Sequence, residues 1–156
     1  MQIIGIITVC ISGFGISMLL LVRERLALTR VAALIRFIEY VKLSVEHYAL
    51  STSQLFSRCD KELLYNCGYE DGNLPDNFRD MAEGCDIPDK EAEEVFFRFA
   101  LDFGKEYRMK QTMSCDNCIE ELKRCEVRLK DEFPARRKLI IGIGVSATLI
   151  LIILLL

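Results

Sequence analysis

Every charged residue of the chain lies between Arg23 and Lys138. The two ends, Ile3–Val22 and Leu139–Leu156, carry none, and this segregation restricts the possible folds more than any other feature. The last run reads LIIGIGVSATLILIILLL, with Ser146 and Thr148 its polar side chains. As a helix rising about 1.5 Å per residue, it reaches across the ~30 Å hydrocarbon core of a bilayer. The first run, IIGIITVCISGFGISMLLLV, is of similar length. A cleaved signal peptide would open on basic residues and close on small ones at a cleavage site. Here Gln2 precedes the run and Arg23-Glu24-Arg25 follows it. The expectation is therefore a retained membrane helix over residues 2–22, a second over 139–156, and a soluble domain, residues 23–138, between them.

Basic residues set the expected orientation. Arg23, Arg25, Arg30 and Arg36 follow the first run, and Arg124, Arg128, Lys130, Arg136, Arg137 and Lys138 precede the second. Both groups belong to the middle domain, which the positive-inside rule places in the cytoplasm with both termini across the membrane. Of the seven cysteines, Cys10 falls inside the first run. The other six would face a reducing compartment, which argues against structural disulfides, as does the odd total. A net charge of −3 argues against nucleic acid as a partner, since such proteins carry a basic face.

Along the chain the apolar spacing is helical throughout. Gly13 and Ser17 in the first run, and Gly142 and Ser146 and also Gly144 and Thr148 in the second, are small residues four apart, the spacing that lets membrane helices approach closely; the alternative is the general frequency of glycine in such helices. No helix breaker follows the first run. Ala27, Val31, Leu34, Ile38, Val41, Val45 and Tyr48 recur at steps of four and three, which predicts one rod continuing to about residue 48. Ser51 and Gln54 form a capping-box pattern opening a helix with Leu55, Phe56, Cys59 and Leu63 on one face. Asn66–Asn73 reads as a loop. Pro75 opens a short helix with Phe78, Met81, Ala82 and Cys85 inward. Asp86 and Pro88 open another, with Ala92, Val95, Phe96, Phe99 and Phe103 as its stripe and Gly104 at its end. A last cytoplasmic helix runs from about Gln111 to Phe133 with Cys115, Cys118, Leu122, Cys125, Leu129 and Phe133 as its seam, and Pro134 stops or kinks it. No segment alternates with period two. The expected fold class is all-α, a cytoplasmic bundle of five helical elements flanked by two transmembrane helices.

Cys115-Asp116-Asn117-Cys118, together with Cys125, is the one suggestive chemical cluster. Zinc wants four ligands, usually as two spaced pairs, and no second close pair occurs. A redox CxxC opens a helix, usually after a strand, and no strand is available. All three cysteines lie on the apolar seam, where packing explains them, because an unpaired cysteine behaves as a small hydrophobe. A two-pass membrane sensor or regulator binding a metal through these three residues is the alternative reading of the chain. His47, at the end of the rod, has no nucleophile placed beside it. The Gly13–Gly15 turn-like triplet lacks the Lys-Ser/Thr of a phosphate loop. Neither apolar run holds a charged residue of the kind membrane enzymes use. No catalytic constellation and no cofactor site emerges, so the expectation is a protein that is not an enzyme. Acidic runs containing Glu91, Glu93 and Glu94, and the group Glu120, Glu121 and Arg124, are solvated helix faces or docking surfaces for a partner.

Phe103-Gly104, the stretch CIEELKRCEVRLKDEFPARRK at Cys118–Lys138, the following LIIGIG and the Leu/Ile tail resemble the stage III sporulation protein AB family. The layout is similar as well: a membrane helix running into a cytoplasmic helical domain, a long charged helix and a second membrane helix. The resemblance implies a cytoplasmic domain like the F-type platform domain of type II secretion and type IV pilus machines. It implies a place in the mother-cell membrane around the forespore, within the channel that joins the two cells during engulfment. It further implies contact with membrane lipids, with other membrane proteins of that channel, and with a cytoplasmic secretion-type ATPase, stage III sporulation protein AA.

Overall fold

The structure, a computed structural model, describes the backbone of residues 2–48, 51–104 and 108–155, and the side chains of these from Gly15 to Ile150 and at Ile153. It is all-α. Among the described residues six helices follow in order: α1 (Gln2–Tyr48), α2 (Thr52–Arg58), α3 (Lys61–Asn66), α4 (Phe78–Gly84), α5 (Lys90–Asp102) and α6 (Arg108–Leu155). Among the described residues there is no β-strand, only an isolated antiparallel bridge between Tyr69 and Cys85. The chain divides into two compact units, one of residues 1–26 with 129–156 and the other of residues 27–128.

In the larger unit, the seam on α1 is buried as the spacing requires up to its last member: Ala27, Val31, Leu34, Ile38, Val41 and Val45 are all inside. Tyr48, which the seam included, is 68% exposed. The buried stripe is also wider than a two-position seam, taking in Ala33, Ile35 and Phe37. α1 is thus covered on more than one side, and its wide apolar arc is what a helix central to a bundle requires.

Ser51 does form the capping box: its hydroxyl accepts from the Gln54 amide at 3.4 Å, and the Gln54 side chain accepts from the Ser51 amide at 3.2 Å. The single helix expected after it is two. Cys59 turns extended, at φ −69° and ψ 142°, and Asp60 becomes a new N-cap, accepting from Glu62 at 3.0 Å. An aspartate's short side chain competes for backbone amides and so starts a helix rather than continuing one. The break rotates the face, so Leu64 is buried where Leu63 was expected. The bundle accordingly has one more helical element than the spacing suggested.

α3 ends in a Schellman motif. The Gly68 amide donates to Tyr65 O at 2.9 Å and the Tyr69 amide to Leu64 O at 3.1 Å. Gly68 sits at φ +97°, and a Cβ there would lie 2.7 Å from the Asp86 carbonyl. The next two helices begin later than Pro75 and Pro88 suggested, because Asn77 and Asp89 are the caps, accepting from Asp80 and Ala92 at 2.9 and 3.0 Å. A cap side chain satisfies an otherwise orphaned helix amide, which a proline nearby cannot do.

Among the described residues Phe37, Phe56, Phe78, Phe96, Phe99 and Phe103 form an aromatic cluster in the larger unit. The Phe37 ring centroid lies 6.1 Å from those of Phe56 and Phe78 and 6.4 Å from that of Phe96, and Phe78 lies 4.3 Å from Phe103. α6 lies alongside α1 in this unit, with Lys42 and Asp116 paired at 2.7 Å and Lys123 and Glu39 at 3.7 Å. Arg108, in the first turn of α6, donates to the carbonyls of Val45 at 2.6 Å and of Glu46, satisfying orphan acceptors at the end of α1.

In the smaller unit Arg136 pairs with Glu24 at 3.0 Å and Glu132 at 2.6 Å. α6 runs through Pro134 instead of stopping there. A proline inside a helix removes one amide donor and crowds the carbonyl four residues back, but it need not end the helix. Among the described residues no helix is long and apolar enough to cross a membrane. Both apolar runs lie partly outside that set: side chains are described for residues 15–22 of the first, and for 139–150 and 153 of the second.

Candidate functional site

Cys115, Cys118 and Cys125 are buried on the inner face of α6, with Leu122 and Leu129 continuing the stripe. Cys59, Cys67 and Cys85 are buried at the C-caps of α2, α3 and α4, and none of these six is in a disulfide. Burial pushes the Cys59 thiol up to about 11, and those of Cys85, Cys115 and Cys118 up to about 12. Burial also raises Cys67 and Cys125. The thiolate is the nucleophile and the metal ligand, so these thiols are held in their inert form. Cys10 lies outside the described side chains.

A different group converges. Single ligand atoms of Asp89, Glu91 and Cys125 lie within 4.8 Å of one another. Cys115 and Cys118, which the sequence grouped with Cys125, are not members of it. Arg128 occupies the centre of this group electrostatically. Its Nη2 reaches both oxygens of Asp89, at 2.9 and 2.8 Å, and its Nε lies 3.0 Å from Glu91 Oε2. The guanidinium supplies the positive charge that two adjacent carboxylates need. The group therefore works as a clamp between α5 and α6. The sequence reading opens this helix at Asp86 and Pro88 and so misses the group; the signal present is Asp89, directly after Pro88 and three residues before buried Ala92.

A second polar centre was also missed. Arg30 on α1 is 6% exposed. Its Nη1 donates to both the carbonyl and the carboxylate of Asp86, and its Nη2 to Glu70 at 3.1 Å. Arg30 thus ties the loop after α3 and the segment before α5 to α1. The arrangement is structural, with the planar fork serving two partners as a lysine could not.

The residues expected to dock a partner fall on two helices. Glu93 and Glu94 line a depression of about 470 Å³ on the outer side of α5, together with Phe97, Arg98, Leu101 and Asp102. Glu91 is committed to Arg128. Glu121 holds Arg98 at 2.5 Å, and Glu120 holds Arg124 at 2.5 Å one turn along α6. Of the residues expected to pack membrane helices, Gly142 and Ser146 are exposed, with open space around a Cβ built at Gly142, and Ser17 is half-buried. Gly144 and Thr148 are the half-buried pair in that stretch, the Thr148 hydroxyl donating to Gly144 O at 2.8 Å. Gly13 lies outside the described side chains. His47 is exposed, with Tyr48 its ring neighbour at 6.3 Å.

No family model, no curated protein and no solved structure matches the chain.

Proposed function

We propose that the chain is a non-enzymatic, two-pass membrane platform component of a mother cell–forespore channel, as the resemblance to the stage III sporulation protein AB family implies. In this reading residues 2–22 and 139–156 lie in the mother-cell membrane around the forespore. The helical domain between them resembles an F-type platform domain, faces the cytoplasm and engages a secretion-type ATPase, stage III sporulation protein AA. The platform passes conformational work from that ATPase to other membrane proteins of the channel, on which late forespore gene expression and sporulation depend.

One observation carries the reading most. α1 and α6 are single helices of 47 and 48 residues, and each contains both a charge-free terminal run and a buried seam of the helical domain. In this reading each helix carries a membrane run and a domain seam in one continuous stretch of chain. The basic residues on the domain side of both runs favour the proposed orientation. The buried, protonated thiols favour packing over chemistry at the CxxC.

Deletion of the gene in a spore-forming host tests the reading. Arrest after engulfment with a silent late forespore reporter, together with co-purification of the ATPase with the tagged full chain, is the expected result. Normal spores would overturn it. Bound zinc that disappears with Cys118→Ser would instead move the metal-sensor reading forward.

A further inference from the structure

The outer side of α5 carries exposed apolar and acidic residues beside a tie to α6, Arg98–Glu121. Its inner stripe, Ala92, Val95, Phe96, Phe99 and Ala100, is buried. On the other side Phe97 and Leu101, one turn apart, are 37% and 38% exposed. They form the apolar floor of the depression of about 470 Å³, and Glu93, Glu94 and Asp102 form its rim. Arg98, the one basic residue among the described lining residues, is engaged by Glu121 at 2.5 Å. The floor is thus apolar and the rim is acidic.

We propose that this face of α5 docks a basic amphipathic helix of a partner protein. The occupant's apolar side chains lie on Phe97 and Leu101, and its Lys and Arg residues meet Glu93 and Glu94. Charge selects this occupant over the alternatives. A bilayer surface and a nucleic acid are both anionic and are repelled by the rim, whereas a cationic helix is drawn in and oriented by it. The helix-in-groove mode reads anchors at spacings of three and four, and an i, i+4 pair such as Phe97 and Leu101 offers the matching surface. The inference rests on the reading that this domain receives a cytoplasmic partner, and it assigns the chemistry of that contact.

The test uses the full chain in non-ionic detergent and a fluorescein-labelled, 18-residue synthetic helix with a leucine stripe and lysines on both flanks. Fluorescence polarisation is expected to show binding that weakens as salt rises. It should weaken about tenfold or more in Glu93→Lys/Glu94→Lys, and separately in Leu101→Asp, while Glu120→Lys binds as the parent does. Both altered sites are exposed, and circular dichroism checks that the helices remain. Phe97→Ser repeats the apolar arm should Leu101→Asp lose helix. No binding, or equal loss in Glu120→Lys, overturns the proposal. So does a dimer in sedimentation that Leu101→Asp dissociates, since the occupant is then a second copy. Failure here is separable from failure of the platform reading. ATPase capture that is indifferent to the α5 variants, with no peptide binding, sinks the α5 site alone; peptide binding without ATPase capture sinks the platform reading alone.

Discussion

Asp89 does two jobs with one carboxylate: it accepts the Ala92 amide at 3.0 Å as the N-cap of α5 and receives the Arg128 guanidinium of α6 at 2.8 Å. The start of one helix is thereby held to the side of another. Asp89→Ala is expected to cost about 2–3 kcal/mol, of which the lost cap accounts for about 1. Asp89→Asn keeps a capping oxygen and removes the charge, so it should cost distinctly less. Urea unfolding followed by circular dichroism compares the two. Equal losses would mean that the cap matters little beside the ion pair.

Phe37 joins α2, α4 and α5 to α1 through Phe56, Phe78 and Phe96. Phe37→Ala should therefore destabilise the larger unit by about 3–5 kcal/mol, the range for emptying a packed aromatic site. Tyr48→Ala, at the exposed end of the same helix, should change stability by less than about 0.5 kcal/mol. Thermal melts of the two variants settle the contrast.

Gly68 and Gly104 both adopt positive φ, +97° and +89°, but only Gly68 has a neighbour within 3 Å of an added Cβ. Gly104→Ala should cost about 1 kcal/mol for the left-handed backbone alone. Gly68→Ala should cost more, because the Asp86 carbonyl must also move away from its contact with Arg30. Similar losses for both would show that the loop yields freely.

The buried thiols make stability depend on alkaline pH. The unfolded chain releases protons from its cysteines near the usual value of 9, whereas folded Cys85, Cys115 and Cys118 hold theirs to about 12. Above pH 9 the folded state therefore binds more protons, and stability falls as pH rises. Below pH 8 these thiols contribute no slope. A denaturant midpoint measured from pH 7 to 10.5 should stay flat and then decline. In parallel, a thiol reagent at pH 7.5 should modify these six cysteines slowly in the folded chain and rapidly in urea.

Apolar spacing made the long elements legible. The seams of α1 and α6 and the inner stripe of α5 were readable because a helix buries every third or fourth residue. Phe37 was missed because a two-position seam describes a helix with one neighbour, whereas α1 has several. The α2–α3 break turns on one side chain, Asp60, whose preference for capping outweighs the apolar continuity of Phe56, Cys59 and Leu63. The prolines at 75 and 88 drew the helix starts too early, since proline marks where a helix can begin and a polar cap decides where it does. Arg30 and Arg128 were unreadable as clamps, since their partners at residues 70, 86, 89 and 91 are distant in sequence and nothing local announces such pairs.

The neighbours of α6 lie far from it along the chain: Lys42 meets Asp116, and Glu39 meets Lys123. Translation makes α1 first, so its flank toward α6 stays uncovered until residues near 123 have left the ribosome. A truncated chain ending at Gly104 should on that account be recovered bound to holdase chaperones, while the full chain is not. The order of synthesis thus leaves the α6-facing flank of α1 waiting longest for its cover.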